Sequence, residues 1–169
     1  MTSVFPMRLV LACLTTVCVL TAMPAPAGAA GTWGWPVTGP VIRGFDPPAS
    51  PFGSGHRGID IATPVGSEVV ASADGVVAFA GPVGGHLFLT IVHGGGLEST
   101  YSWLSSLMVR RGDPVASGQP IALTGPGHAG GPMPSLHLGV RLDDAYVDPL
   151  DYLSALDVSA LIRLAPLAA

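Results

Sequence analysis

Beyond residue 67 the apolar residues come in short runs, at 68–71, 75–80, 85–93, 97–104, 108–109, 120–124 and 136–141, with Gly, Asp and Pro between them. Runs of this length bounded by turn formers read as strands, and so many in succession fold as an antiparallel meander or as two packed sheets. The expected class is all-β, an antiparallel two-sheet sandwich with long loops. Ala73-Asp74-Gly75 and Gly94-Gly95-Gly96 read as hairpin turns, where glycine supplies the positive φ a tight turn needs. Residues 111–121 form a turn-rich crossing between strands. Residues 124–134 hold four glycines, three prolines and His128, a long loop of the kind that is disproportionately functional. This loop runs directly into the strand that carries His137. Toward the end, apolar residues at 150, 153, 156, 158, 161, 162 and 164 keep a roughly helical spacing and predict one short C-terminal helix.

Residues 1–30 read as a secretory signal peptide, with Arg8 at a thin basic start, an apolar stretch over 9–23, and Ala25, Ala27 and Ala29 where a signal peptidase would cut. An uncleaved anchor fits less well, because Thr15, Thr16 and Thr21 interrupt a stretch already short of the roughly 20 residues a bilayer span needs. The expected destination is secreted, in the cell wall or the periplasmic space. Residues 31–54 form a Pro/Gly-rich lead-in, residues 55–153 the main domain, and residues 154–169 the C-terminal helix and tail. Trp33 and Trp35 in the lead-in either pin it to the core or offer a sugar-stacking platform.

Composition narrows the function. At 49% hydrophobic over 169 residues, the chain can bury one real core. Both cysteines, Cys13 and Cys18, fall in the leader, so the mature domain has no disulfide; Val17 is wrong for lipid attachment at Cys18. All seven basic residues are arginines, and past the leader six of them face eleven acidic residues. With no basic run beyond Arg110-Arg111, the electrostatic footprint of a nucleic-acid binder is missing. The absence of lysine also excludes a lipoyl or biotinyl carrier, whose turns 73–77 and 111–115 otherwise resemble.

Candidate chemistry gathers in two places, His56-Arg57-Gly58-Ile59-Asp60 and Ser135-Leu136-His137. Two imidazoles and a carboxylate that converge make the ligand set of a zinc site with one position open, as catalytic zinc requires. The ordinary alternatives are a turn cap for His56 and a backbone acceptor role for Asp60. Ser135 and His137 share a strand face, so Ser135 can reach what His137 reaches.

His-Arg-Gly-Ile-Asp-Ile at 56–61, Val69-Val70-Ala71 to Ala73-Asp74-Gly75-Val76-Val77, His93-Gly94-Gly95-Gly96, Thr100-Tyr101, Val109 to Gly118-Gln119-Pro120-Ile121, Leu136-His137 and Val147-Asp148-Pro149 occur in one order. In that order they resemble the lysostaphin-type (LytM-like) zinc endopeptidases, from Trp35-Pro36 to about Leu153. The resemblance implies an antiparallel two-sheet fold, Zn2+ held by His56, Asp60 and His137, and action on the peptide stems or cross-bridges of bacterial peptidoglycan.

It also implies two further histidines, and here the chain departs. The position two residues after Tyr101 is Trp103, and the start of the His-Leu-His strand is Ser135. An indole cannot accept a proton and a lone serine is a poor base, whereas general acid–base help is worth about 10²–10⁴-fold. His128 is the substitute donor on offer, against the ordinary reading of an exposed loop histidine; Ser135 could orient a water. Tyr101 and Trp103 are assigned to the substrate groove, with Arg141 beside them; core packing for Tyr101 and a plain surface charge for Arg141 are equal alternatives. His86, read as a solvated loop residue, and His93, at a turn, are kept out of the metal sphere. Two functions remain in view: a secreted zinc endopeptidase acting on or binding peptidoglycan, or a catalytically inactive module that binds wall or regulates another cell-wall hydrolase.

Overall fold

The computed structural model describes residues 32–50, 53–128 and 131–155. Ten strands follow one another: β1 (Val41–Arg43), β2 (Ile59–Ala62), β3 (Glu68–Val70), β4 (Gly75–Val83), β5 (His86–Gly94), β6 (Leu97–Leu107), β7 (Pro114–Val115), β8 (Pro120–Thr124), β9 (Ser135–Leu142) and β10 (Ala145–Val147). All pair antiparallel, in the order β1-β2-β9-β6-β5-β4-β7, with β10 on β9 and β3 on β8. The all-β expectation holds.

The sheet divides at β6. Leu97 to Ser102 pair with β9, whereas Leu104, Ser106 and Leu107 pair with β8. Between them stands Trp103, whose φ of 65° is one of three positive values at a non-glycine residue. A kink there sends β6 from one neighbour to another, so β8 and β3 form a second leaf. Val69, Ile121 and Ala122 of that leaf share one buried core with Ile59, Ile61, Leu89, Ile91, Tyr101, Leu136 and Leu138.

The lead-in is pinned to this core. Trp33 is 1% exposed, bridges to Leu153, and exchanges backbone hydrogen bonds with Tyr152 and Ser154. The Trp35 indole donates to the Ser154 carbonyl at 2.9 Å. Buried in this way, Trp33 offers no platform for a sugar.

Two local expectations change. Ala73-Asp74-Gly75 is not a hairpin, because β3 pairs with β8 while β4 pairs with β5 and β7. Glycine is required at 75 by close approach instead, since a Cβ there would lie 2.5 Å from the Val92 carbonyl oxygen. Residues 108–109 are not a strand but lead out of β6. Gly94 to Gly96, with φ of 83°, 59° and 78°, do turn β5 into β6. Of the expected C-terminal helix, the described part is a single 3-10 turn, Pro149–Asp151, capped by the Asp148 carboxylate accepting from the Leu150 N–H. Residues 156–169, like the expected leader at 1–30, lie outside the described residues.

Candidate metal site

Strand register builds the site. Asp60 of β2 lies opposite His137 of β9, and Ile59 and Ile61 lie opposite Leu138 and Leu136. These four apolar residues are fully buried, so alternation turns Asp60 and His137 to the other face together. A bridge between Asp46 and His56 brings the third group in, with His56 Nδ1 2.7 Å from the Gly44 carbonyl oxygen.

The structure adds a fourth. His128 joins His56, Asp60 and His137, one donor atom from each lying within 4.8 Å of all the others. His56 Nε2 is 3.2 Å from Asp60 Oδ1 and 3.1 Å from His137 Nδ1. His137 Nδ1 is 2.9 Å from Asp60 Oδ1. His128 Nε2 is 3.3 Å from His137 Nδ1 and 3.4 Å from Asp60 Oδ1. A tetrahedron with bonds of about 2.0–2.2 Å has edges of about 3.3–3.6 Å. Of five spacings, the two from His128, 3.3 and 3.4 Å, fall in that range and the three among His56, Asp60 and His137, 2.9–3.2 Å, lie below it, while the sixth, between His56 and His128, is within 4.8 Å.

Proton bookkeeping shows that a cation suits these atoms. A carbonyl only accepts, so the His56 Nδ1 must donate to Gly44, which leaves Nε2 of a neutral ring as a lone pair. One proton on His137 Nδ1 cannot serve Asp60 Oδ1, His56 Nε2 and His128 Nε2 at once. A divalent ion at the centre satisfies all four donors. Burial pushes the Asp60 carboxyl up, but the hydrogen bond from His137 and the charges of His137, His56 and His128 outweigh it, and the net shift is downward. Burial pushes His128 down, opposed by Asp60 and aided by His137, His56 and Arg43. Both shifts favour the deprotonated forms that metals bind.

Around the cluster, Trp103 has its ring 4.8 Å from that of His128 and 4.2 Å from that of His86. His86 is solvated as expected, but it opens β5 and sets its ring tilted against the indole. Ser135 is buried, and Gly127 lies directly on it: a Cβ at Gly127 would be 2.7 Å from Ser135 Oγ and 2.9 Å from its nitrogen. A cleft of about 300 Å³ beside the cluster is lined by Ile42, Arg43, Asp60, His128, Pro132 and Ser135.

Tyr101 does not line this cleft. It is 0% exposed and accepts at its hydroxyl from the Ser72 N–H at 2.9 Å. The reason is register: Ser102 lies opposite His137 and Tyr101 opposite Leu138, so Tyr101 faces the core. Trp103 would face the core too by alternation, and only its positive φ breaks the pattern. Arg141 pairs with Glu98 and lies 3.8 Å from Asp144, outside the cluster. His93 donates from Nδ1 to the Asp74 carbonyl at 2.8 Å and has Nε2 2.7 Å from Ser99 Oγ, well inside the core. Nothing in the periodicity marked His128 as part of the cluster; its only signal was a loop position nine residues before His137.

Residues 54–149 match peptidase family M23. An uncharacterized protein of Mycobacterium tuberculosis is 37% identical over 79% of this chain and 55% of its own length. The murein hydrolase activator NlpD of Escherichia coli is 36% identical over 72% of this chain and 31% of its own. The chain thus spans about half or less of the curated relatives it matches. Among solved structures, a zinc-containing peptidase from Vibrio cholerae superposes with a TM-score of 0.61 at 30% identity, over 73% of this chain and 41% of that one. Lysostaphin from Staphylococcus simulans gives 0.63 at 26% identity, over 74% and 55%. With its antiparallel sheet, its His/Asp cluster and these matches, the chain belongs to peptidase family M23, in its lysostaphin-type branch.

Proposed function

We propose that this chain is a zinc-holding, peptidoglycan-associated module that regulates wall hydrolysis by another enzyme and does not itself cleave peptide bonds. The observation that carries the reading is the pair of side chains flanking His137. Where the family resemblance implies proton-handling histidines, this chain has an indole at Trp103 and a buried hydroxyl at Ser135. His56, Asp60 and His137 would hold the zinc, which supplies Lewis acidity when bound. Peptide hydrolysis also needs a base for the attacking water and an acid for the leaving amine, and neither Trp103 nor Ser135 can be one.

The relative named as a murein hydrolase activator supports the regulatory half of this reading, and the zinc-containing neighbour supports the metal. The partners would be peptidoglycan stems or cross-bridges and a cell-wall hydrolase, met in the envelope after removal of residues 1–30. A second reading keeps hydrolysis, with His128 as the proton donor; its nearness to Asp60, 3.4 Å, is what favours it.

Two measurements decide. The zinc-loaded protein should sediment with insoluble peptidoglycan yet release no new amines from it, whereas a Trp103→His/Ser135→His double variant should release them. Robust release by the wild type that His128→Ala abolishes would refute the proposal and establish the second reading.

A further inference from the structure

We infer that His128 is a fourth protein ligand that closes the metal site, and that Trp103 and Ser135 are the positioning residues that bring it there. The inference rests on the zinc reading above and deepens it, because a closed site also leaves no position for a hydrolytic water. Three protein ligands leave a position for water or substrate; four leave none, which is the arrangement of a structural zinc site.

The geometry points this way from three independent places. His128 Nε2 lies at ligand-to-ligand distance from both His137 Nδ1 and Asp60 Oδ1, 3.3 and 3.4 Å, at the wall of the cleft that His128 and Asp60 both line. The loop can bring it there only because of what lies beneath. Gly127, with φ of 83°, packs against Ser135 so closely that even a methyl group would collide with Ser135 N and Oγ. An imidazole at 135 would occupy the path of that loop. Trp103 is turned out of the core by its positive φ, a strained choice for a bulky residue, and its indole packs between the tilted rings of His86 and His128. A tryptophan at this position braces the ligand on the side away from the metal. The two places where the chain departs from a peptidase pattern, Trp103 and Ser135, thus fit together with His128 as one device.

Cobalt(II) in place of zinc tests this without reference to activity, because its visible bands report coordination number and an added small anion reports an open position. The wild-type cobalt protein should show the intense bands of four-coordination and should not respond to azide. His128→Ala should give weaker bands that shift on adding azide, and should bind zinc at least about 10-fold more weakly in competition with a chelator, the lower end of what even an outer partner of a ligand costs. Trp103→Ala should gain part of the azide response, and Trp103→Phe, which keeps a ring against His128, should lose it again. A wild-type spectrum that azide shifts as readily as that of His128→Ala, with equal zinc affinities, would overturn the inference. A chain that takes up neither metal overturns it together with the zinc reading; a wild type whose cobalt form responds to azide yet releases no amines from peptidoglycan would sink only the fourth ligand and leave the non-hydrolytic proposal standing.

Discussion

Gly58 joins the fold to the site, and a single methyl group there should damage both. It precedes β2, has no positive φ, and sits where a Cβ would lie 2.2 Å from the Leu138 carbonyl oxygen and 2.9 Å from Cε1 and Nε2 of His137. An ordinary carbon–oxygen contact is about 3.3–3.6 Å, so Gly58→Ala must move backbone by more than about 1 Å. The atom that has to move belongs to Leu138, the partner of Ile59 and the neighbour of the Asp60–His137 pair. Overpacking of this kind costs about 1–3 kcal/mol, and one lost ladder hydrogen bond about 1 more. A total of about 2–4 kcal/mol should lower the thermal midpoint by on the order of 10 °C in a domain of this size. Because the His137 ring is pushed as well, zinc affinity should fall in the same variant. Gly66→Ala is the control: its φ is 82° but nothing lies within 4 Å of its Cβ, so it should cost about 1 kcal/mol of backbone strain and leave zinc binding unchanged. Thermal melts with and without chelator, beside a zinc competition titration, read both quantities. If Gly58→Ala melts and binds zinc like Gly66→Ala, the β2–β9 packing described above is wrong.

Two further tests separate core from site. Tyr101→Phe leaves the buried Ser72 N–H without its acceptor and should cost about 1–3 kcal/mol while leaving the cobalt spectrum untouched; a changed spectrum would return Tyr101 to the groove. Burial pushes His93 below its ordinary value of 6.5, against the hydrogen bond to the Asp74 carbonyl and the Asp74 charge. The unfolded chain therefore takes up the proton at higher pH than the folded one, so this stabilisation is complete above about pH 6.5 and is lost as pH falls toward the folded pKa. Denaturant melts should show wild-type stability dropping over that interval more than that of His93→Gln; parallel slopes would refute the assignment.

What could be read from the chain follows from which features have a period. The strands were legible because apolar runs of 68–71 or 120–124 and the turn formers between them are local signals. The convergence of Asp60 and His137 was legible in outline because both sit on short runs with motif neighbours. Tyr101 stayed open between groove and core for want of register: only the pairing of Ser102 with His137 shows which β6 residues face the site. Trp103 escaped for the opposite reason, since it breaks the alternation through a backbone conformation that tryptophan rarely adopts. The Ala73–Gly75 segment looked like a hairpin because glycine demanded by close packing and glycine demanded by a turn are the same letter.

His128 was the hardest to place, because a loop among glycines and prolines has no periodicity to say where its one polar ring goes. Its position is decided by contacts with residues distant in sequence, and this gives a last prediction that separates cause from coincidence. If Ser135 is small only by chance, Ser135→His should add a ring beside His137 and leave the loop where it is, so the cobalt spectrum would keep its four-coordinate bands. If Ser135 is small because Gly127 must lie on it, so close that a Cβ at 127 would come within 2.7–3.0 Å of its Oγ, N and O, the new ring must lift the loop and carry His128 away. Ser135→His alone would then behave like His128→Ala toward azide, with no residue of the metal cluster itself changed. The same steric argument orders any restoration of peptidase chemistry. A histidine at 135 removes the closing ligand as it supplies a proton carrier, and Trp103→His removes the brace, so the double variant opens the metal position in the same step that provides its acid and base.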